Sequence, residues 1–470
     1  MYRVEKEHEI IIKGEKISFR TICQDYPVRG ADGKVVGTVF SYEYIRLENG
    51  KETDRPVLFA YNGGPGSSSL WLHMGILAPW RVDCRDLSKL SGSGNYRLEE
   101  NPDCPLNICD IVVLDPVATG YGQILDPEGA KSVFGFEEDA WSIAGVIEDW
   151  IITHKRYDSK KYLLGESYGT NRNTAVANIL MGGYTYKGSI AKGIAIDGIL
   201  NLGSDISVER FADGEPMDDF TENLKLLPSY AATNWYHRTN QEKPLPQLLE
   251  EVYDFCSNEY LRALYLGHWM PDEERRSLAE KLAALTGLSA GAILQNDLRI
   301  SVEDFVRQYA EEDGARSSLY DARYAMAYTA LAPKGDCVGD DELMGRCMPG
   351  FLGAFHRMEK DYLGIDLQRE YQVINFNVNE TWSMVGAYTP FQHLQLTLRR
   401  NENFRVFFAN GAYDLITPIG NVRFTASRLR AKPGQVVIRE YPSGHMPYIA
   451  KENDPKLSDD IRSFIKGETM

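Results

Sequence analysis

The chain has no apolar run near the roughly 20 residues that span a bilayer, and its first dozen residues, Met1 to Ile12, lack the apolar core of a secretory leader. The expectation is a cytoplasmic protein, or an exported one whose leader has been removed. Lys/Arg-rich runs are missing too, and the formal net charge is -16. That argues against a nucleic-acid partner and fits an ordinary acidic soluble surface. Cysteine is scarce: Cys23, Cys84, Cys104, Cys109, Cys256, Cys337 and Cys347, an odd number with no two in CxxC spacing. A zinc or redox centre is therefore not expected, and reduced, structural thiols are. Cys337 and Cys347, flanking a Gly/Asp-rich loop, are the pair to watch if the protein is exported. Repeats and low-complexity tracts are absent, and nothing speaks to oligomeric state.

What is present is a 470-residue chain, 43% hydrophobic and 25% charged. That is more than a single core of about 250–300 residues accommodates, so a catalytic domain with a large insertion is expected. Residues 8–20 and 35–46 alternate as strands do, around a turn at Ala31-Asp32-Gly33. Short apolar runs follow at Pro56–Tyr61, Ile108–Leu114, Tyr162–Leu164, Ile194–Ile199, Val406–Ala409 and Val436–Ile438. Runs of this kind suit strands covered on both faces of a mostly parallel sheet. Between them, Glu137 to His154 has a helical stripe of Trp141, Ala144, Ile147 and Ile151. Alternation of strand and helix argues an α/β fold. Residues 204–370 break the rhythm with helical periods at Leu248–Tyr265 and Asp272–Leu285, and read as a mainly helical cap. The expected division is 1–203 and 371–470 for the sheet domain and 204–370 for the cap, with Tyr230, Trp235 and Tyr236 as pocket walls.

Four motifs carry chemistry. Gly165-Glu166-Ser167-Tyr168-Gly169 stands between a strand ending at Leu164 and a helix from Asn171 to Leu180. This is the context of a nucleophile elbow, where a sharp turn lifts the serine above the sheet and the helix N-terminus faces an oxyanion. Asn62-Gly63-Gly64-Pro65-Gly66-Ser67-Ser68-Ser69 follows the Pro56–Tyr61 strand. It can offer a backbone N–H to that oxyanion; a phosphate loop would need a Lys-Ser/Thr pair after the glycines, and none follows. Asp414 lies just after the Val406–Ala409 strand, and His445, in Ser443-Gly444-His445-Met446, just after the last one. Serine, aspartate, histidine is the chain order of an α/β-hydrolase triad, with histidine as base and aspartate as its orienter. Taken singly, each has a plainer reading as a tight turn, a helix cap or a structural histidine. This chemistry calls for no cofactor.

Together these residues resemble the serine carboxypeptidases (peptidase family S10), and Leu72-His73-Met74-Gly75 and Leu227 to Thr233 are similar to stretches of the bacterial branch. The resemblance spans about residues 35–200 and 375–450. It implies an α/β-hydrolase fold and release of C-terminal residues from peptides through an acyl-enzyme, or, on the same scaffold, esterase or acyltransferase action on small esters. It implies an oxyanion hole at the N–H groups of Gly64 and Tyr168. It implies that Asn62 and Glu166 meet the substrate's terminal carboxylate and that Met446 lines the leaving-residue pocket. The chain departs from the family at Ile76, where eukaryotic members carry a glutamate that pairs with the one in Gly-Glu-Ser-Tyr. With that partner gone, Glu166 needs either a dry pocket that keeps it protonated or another donor. His73, and after it Arg81, are the expected donors because they follow the glycine loop closely.

Overall fold

The chain begins with antiparallel strands. β1 (Arg3–Ile12) and β2 (Glu15–Arg29) form a hairpin, and β3 (Val35–Glu48) pairs with β2. The alternating stretch 8–20 is therefore not one strand. It is the tip of that hairpin, turning at Lys13 and Gly14, both at positive φ (48° and 81°). The apolar runs then supply β4 (Val57–Tyr61), β5 (Asp110–Asp115), β6 (Lys161–Glu166), β7 (Gly198–Leu202), β8 (Arg405–Gly411) and β9 (Val436–Tyr441). β4 to β7 are buried along their whole length, as strands covered on both faces must be.

The computed structural model describes every residue except 31, 85–95, 185–190, 209–220, 239–240, 242, 310–314, 328–337, 339–340, 450–452 and 454. The sheet order is β1-β2-β3-β5-β4-β6-β7-β8-β9, with two-residue strands at Lys51–Glu52 and Gln123–Ile124 also pairing with β3. β3 runs antiparallel to β5, and from β5 to β9 all neighbours are parallel. This is the α/β-hydrolase architecture expected from the sequence. Two helices matter most for the site. α1 (Phe136–His154) lays Phe136, Ile143, Ile147 and Trp150 on the sheet, with Trp141 at the edge of the buried stripe rather than within it. α2 (Tyr168–Leu180) starts directly at the end of β6.

The segment 204–370 divides by its packing. Helices α3 (Thr221–Arg238) and α4 (Leu245–Phe255), with others out to Tyr309, close around a core of their own that includes Leu226, Tyr230, Val252, Leu282 and Phe305. A small hairpin, Ala315–Ser317 with Ala325–Ala327, follows. In α5 (Glu342–Met358), by contrast, Leu343, Phe351, Phe355 and Met358 join the same apolar cluster as Tyr42, Leu58 and Trp71 of the sheet side. The chain closes with α6 (Ile419–Arg428) and α7 (Lys456–Lys466). Among the described residues no helix is long and apolar enough to cross a membrane. Six cysteines, Cys347 among them, are buried free thiols, and Cys337 lies outside the described residues.

Candidate active site

Ser167 sits on the turn between β6 and α2 at φ 57° and ψ -130°. A side chain rarely adopts such a backbone, and local strain of this kind persists only where the surroundings impose it. Here the Ser167 N–H donates to Leu202 O of β7 (3.0 Å), and its carbonyl accepts from Thr170 N and Thr170 Oγ1 (2.9 and 2.7 Å). Its neighbours are buried, while Ser167 itself is partly exposed. Tyr168 is the first residue of α2, so its N–H belongs to the turn of helix donors that have no intrahelical acceptor.

The glycine loop lies against that turn. A Cβ on Gly63 would stand 2.5 Å from Tyr168 N and 2.7 Å from Gly169 N, so only glycine permits the approach. The loop is pinned from several sides. Arg172 of α2, buried, donates to Asn62 O (2.6 Å) and to Asp139 Oδ2 of α1 (2.5 Å). Asp115, at the end of β5, accepts from Ser69 N (2.8 Å) and from the Tyr42 hydroxyl (3.0 Å). Burial pushes the Asp115 carboxyl up to about 7.

His445 Nδ1 lies 2.8 Å from Asp414 Oδ2, with both residues buried. Asp414 is held further by Ile416 N and Thr417 N on Oδ1 (2.8 and 2.9 Å) and by Thr417 Oγ1 on Oδ2 (2.5 Å). The two loops are tied by the bond from Tyr413 N to Ser443 O (3.0 Å). The His445 ring rests on Gly203, where a Cβ would come within 3.0 Å of Nδ1 and Cε1. Gly203 follows Leu202, the residue bonded to Ser167, so the end of β7 contacts both the serine turn and the imidazole. Burial lowers the His445 pKa, but the nearby carboxylates of Asp414, Glu166 and Asp205 outweigh it and the net shift is upward. This imidazole can relay a proton while Asp414 fixes its tautomer.

Glu166 is fully enclosed beside Ser167. Its Oε1 accepts from Asn62 Nδ2 (2.7 Å) and from the Tyr448 hydroxyl (3.1 Å), while Oε2 is buried without a partner. The pKa of Glu166 is pushed up to about 7, chiefly by desolvation. Asn62 is itself oriented by Leu72 N, which donates to its Oδ1 (3.0 Å). Tyr448 reaches over Gly75, and it shares a small cavity with Ile76 and Cys84. The phenol thus bonds Glu166 close to the place where the family's second carboxyl was missed.

The expected donors stand elsewhere. His73 is turned into the aromatic core: its Nε2 is 2.7 Å from the Tyr44 hydroxyl, its ring packs against Tyr42 and Phe355, and burial pushes its pKa down to about 3. Arg81 pairs with Glu99 and Asp103 (3.0 and 3.4 Å). Neither bonds Glu166, and the carboxylate-holding role expected of them loses its footing. Met446 is buried in the sheet-side cluster. Tyr230 stacks on Phe305 (4.1 Å) in the core of the insertion rather than lining a pocket. Trp235 and Tyr236 do line a cavity, but its described wall includes neither Ser167 nor His445.

Four contributors escaped the sequence reading. Tyr448, Thr417 and Arg172 act through bonds spanning long stretches of chain or a local turn. Tyr320, from the insertion, accepts His445 N at its carbonyl (2.7 Å) and sets its ring edge-on to the imidazole (centroids 5.5 Å). Only Thr417, three residues after Asp414, gave a local signal, as the polar end of an Asx turn.

Residues 36–200 match the family model of the serine carboxypeptidases, Peptidase S10. The serine carboxypeptidase match takes in the glycine loop and Ser167 and stops short of Asp414 and His445. No curated protein matches the chain. Among solved structures, Kex1Δp, a prohormone-processing carboxypeptidase from Saccharomyces cerevisiae, is similar with a TM-score of 0.54 at 17% identity, over 95% of this chain and 90% of that one. A carboxyl esterase from Bacillus coagulans gives 0.39 at 12% identity, over 95% and 99%. At 17% identity the likeness to Kex1Δp is one of fold. The family match and the α/β-hydrolase fold together support a hydrolase.

Proposed function

We propose that the protein is a serine-type carboxypeptidase that releases C-terminal residues from peptides. The observation that carries this reading is Glu166: directly before Ser167, dry, bonded twice on Oε1 and unpartnered on Oε2. A protonated Oε2 can donate to a substrate carboxylate, which an ionised Glu166 would repel. In this account Ser167 Oγ attacks the scissile carbonyl as His445 Nε2 takes its proton. The N–H groups of Gly64 and Tyr168 receive the oxyanion. His445 then protonates the leaving amine, and water admitted in its place is deprotonated by His445 to cleave the acyl-enzyme. The unit from Thr221 to about Ala327 serves as the cap, since Tyr320 and Leu319 touch the loops of His445 and Asp414 (2.7 and 3.0 Å).

Ile76 favours a second reading, esterase or acyltransferase action, because it removes one carboxyl from the group that would hold a free C-terminus. Matched peptides ending in a free carboxyl, an amide or an ester separate the two. Carboxypeptidase action predicts that the amide is the poorest substrate by roughly a hundredfold or more, as for a site built to bind a polar group the analogue lacks. Ester turnover with no preference for a free carboxyl on the other side would favour the esterase.

A further inference from the structure

Outside the catalytic centre, a cavity of about 900 Å³ opens between the insertion and the last strand of the sheet. Trp235 of α3 and Leu245 and Leu249 of α4 form one wall, and Tyr413, Tyr441 and Pro442 the other. Only β8 pairs with β9 among the described residues, so the cavity runs along the outer side of β9. A volume of this order holds a small organic ligand.

Its charges balance overall but are unevenly placed. Arg423 faces two carboxylates, Glu440 and Glu250 (2.8 and 2.5 Å), and Arg323 pairs with Asp321 (2.7 Å). Lys456 has no acidic partner among the described residues and lies over the Tyr441 ring at 5.4 Å. Arg439 reaches Asp460 only at 4.0 Å, and that carboxylate already accepts from the Tyr441 hydroxyl (2.6 Å). The surplus positive charge sits at one end, where Lys456 and Arg439 have Asp460 as their one nearby carboxylate among the described residues, and that end is complementary to the head of an apolar body carrying one negative charge.

The inner wall is the back of the catalytic loops. Ala412 N donates to Tyr441 O (2.9 Å), Tyr413 precedes Asp414, and Arg323 holds Pro442 O (3.1 Å) three residues before His445. We propose that this cavity binds a small amphipathic carboxylate, its chain against Trp235, Leu249 and Tyr413 and its carboxylate at Lys456 and Arg439, and that occupancy alters turnover through the Asp414 and His445 loops. The inference does not depend on which substrate the enzyme prefers.

Isothermal titration with decanoate, beside decanol as the uncharged control, tests it on the full chain. Saturable one-to-one binding of decanoate is expected, with decanol weaker by about tenfold, the order of one charge-assisted contact. Leu249→Trp, which fills the cavity, should abolish binding. Lys456→Gln with Arg439→Gln, both on partly or fully exposed side chains, should bring decanoate down to decanol and serves where the filling variant does not fold. Decanoate at about its wild-type Kd should change the rate on a small ester in the wild type and move the double variant's rate by roughly a fifth as much at the same concentration. No saturable binding, equal binding of decanol, binding unaffected by the substitutions, or binding without any change in rate would each overturn the proposal.

Discussion

At the residue scale, carboxypeptidase action turns on how Glu166 is kept protonated. Tyr448 and Asn62 both donate to its Oε1, and each bond favours the ionised form and so opposes the burial that raises the pKa, the net result being about 7. Cleavage of peptides with a free carboxyl should therefore fall as pH rises through about 7, where Glu166 loses its proton. Ester cleavage should show only the rising limb set by His445, whose raised pKa moves that limb above its ordinary place near 6.5. Tyr448→Phe removes one of the lowering bonds, so the falling limb for peptides should shift to higher pH with the ester profile unchanged. A peptide profile that does not move would detach Tyr448 from the site. His73→Ala is expected to weaken the fold by about 2–5 kcal/mol, as emptying a buried aromatic-lined position does, and to affect peptide and ester turnover alike. An effect on peptide KM alone, with thermal stability unchanged, would return His73 to the carboxylate site. The places of Ser167, Asp414 and His445 at strand ends were legible because each follows a short apolar run, and a loop after a strand is where an α/β sheet carries its chemistry. Tyr448 was not legible, because its partner lies 282 positions away and no spacing announces it. His73 misled because sequence proximity to the glycine loop says nothing about which way a ring turns.

At the scale of elements, the site is assembled by strand ends and by one buried arginine. β6 and β7 set the serine turn, and the loops after β8 and β9 bring in Asp414 and His445. Arg172 ties α2 to α1 and to the glycine loop. Arg172→Met leaves Asp139 buried without its cation, and unfolding free energy should drop by about 3–5 kcal/mol, read from denaturant melts. Because the same guanidinium holds Asn62 O, turnover should drop even at temperatures where the variant is fully folded; wild-type turnover in a folded Arg172→Met would show that the loop needs no such clamp. The parallel strands were readable from their apolar runs. The β1–β2 turn was not, since Lys13-Gly14 interrupts the alternation by only two residues and the strand period resumes beyond it.

At the scale of the whole molecule, an α/β-hydrolase sheet carries an insertion whose first part has its own core and whose second part, α5, completes the core of the sheet. The composition of 204–370 reads as mainly helical. It could not show that Leu343, Phe351 and Phe355 pack toward Trp71 and Tyr42, because a helical stripe declares a buried face and not its partner. What unites the parts is the claim that Ser167, activated by His445 and Asp414, is a working nucleophile. Labelling with a fluorophosphonate, followed by peptide mapping, tests it most directly. The account predicts a single adduct on Ser167, none in Ser167→Ala, and labelling slowed by several orders of magnitude in His445→Gln. An adduct on another residue, or labelling that proceeds at the wild-type rate in Ser167→Ala, would contradict it.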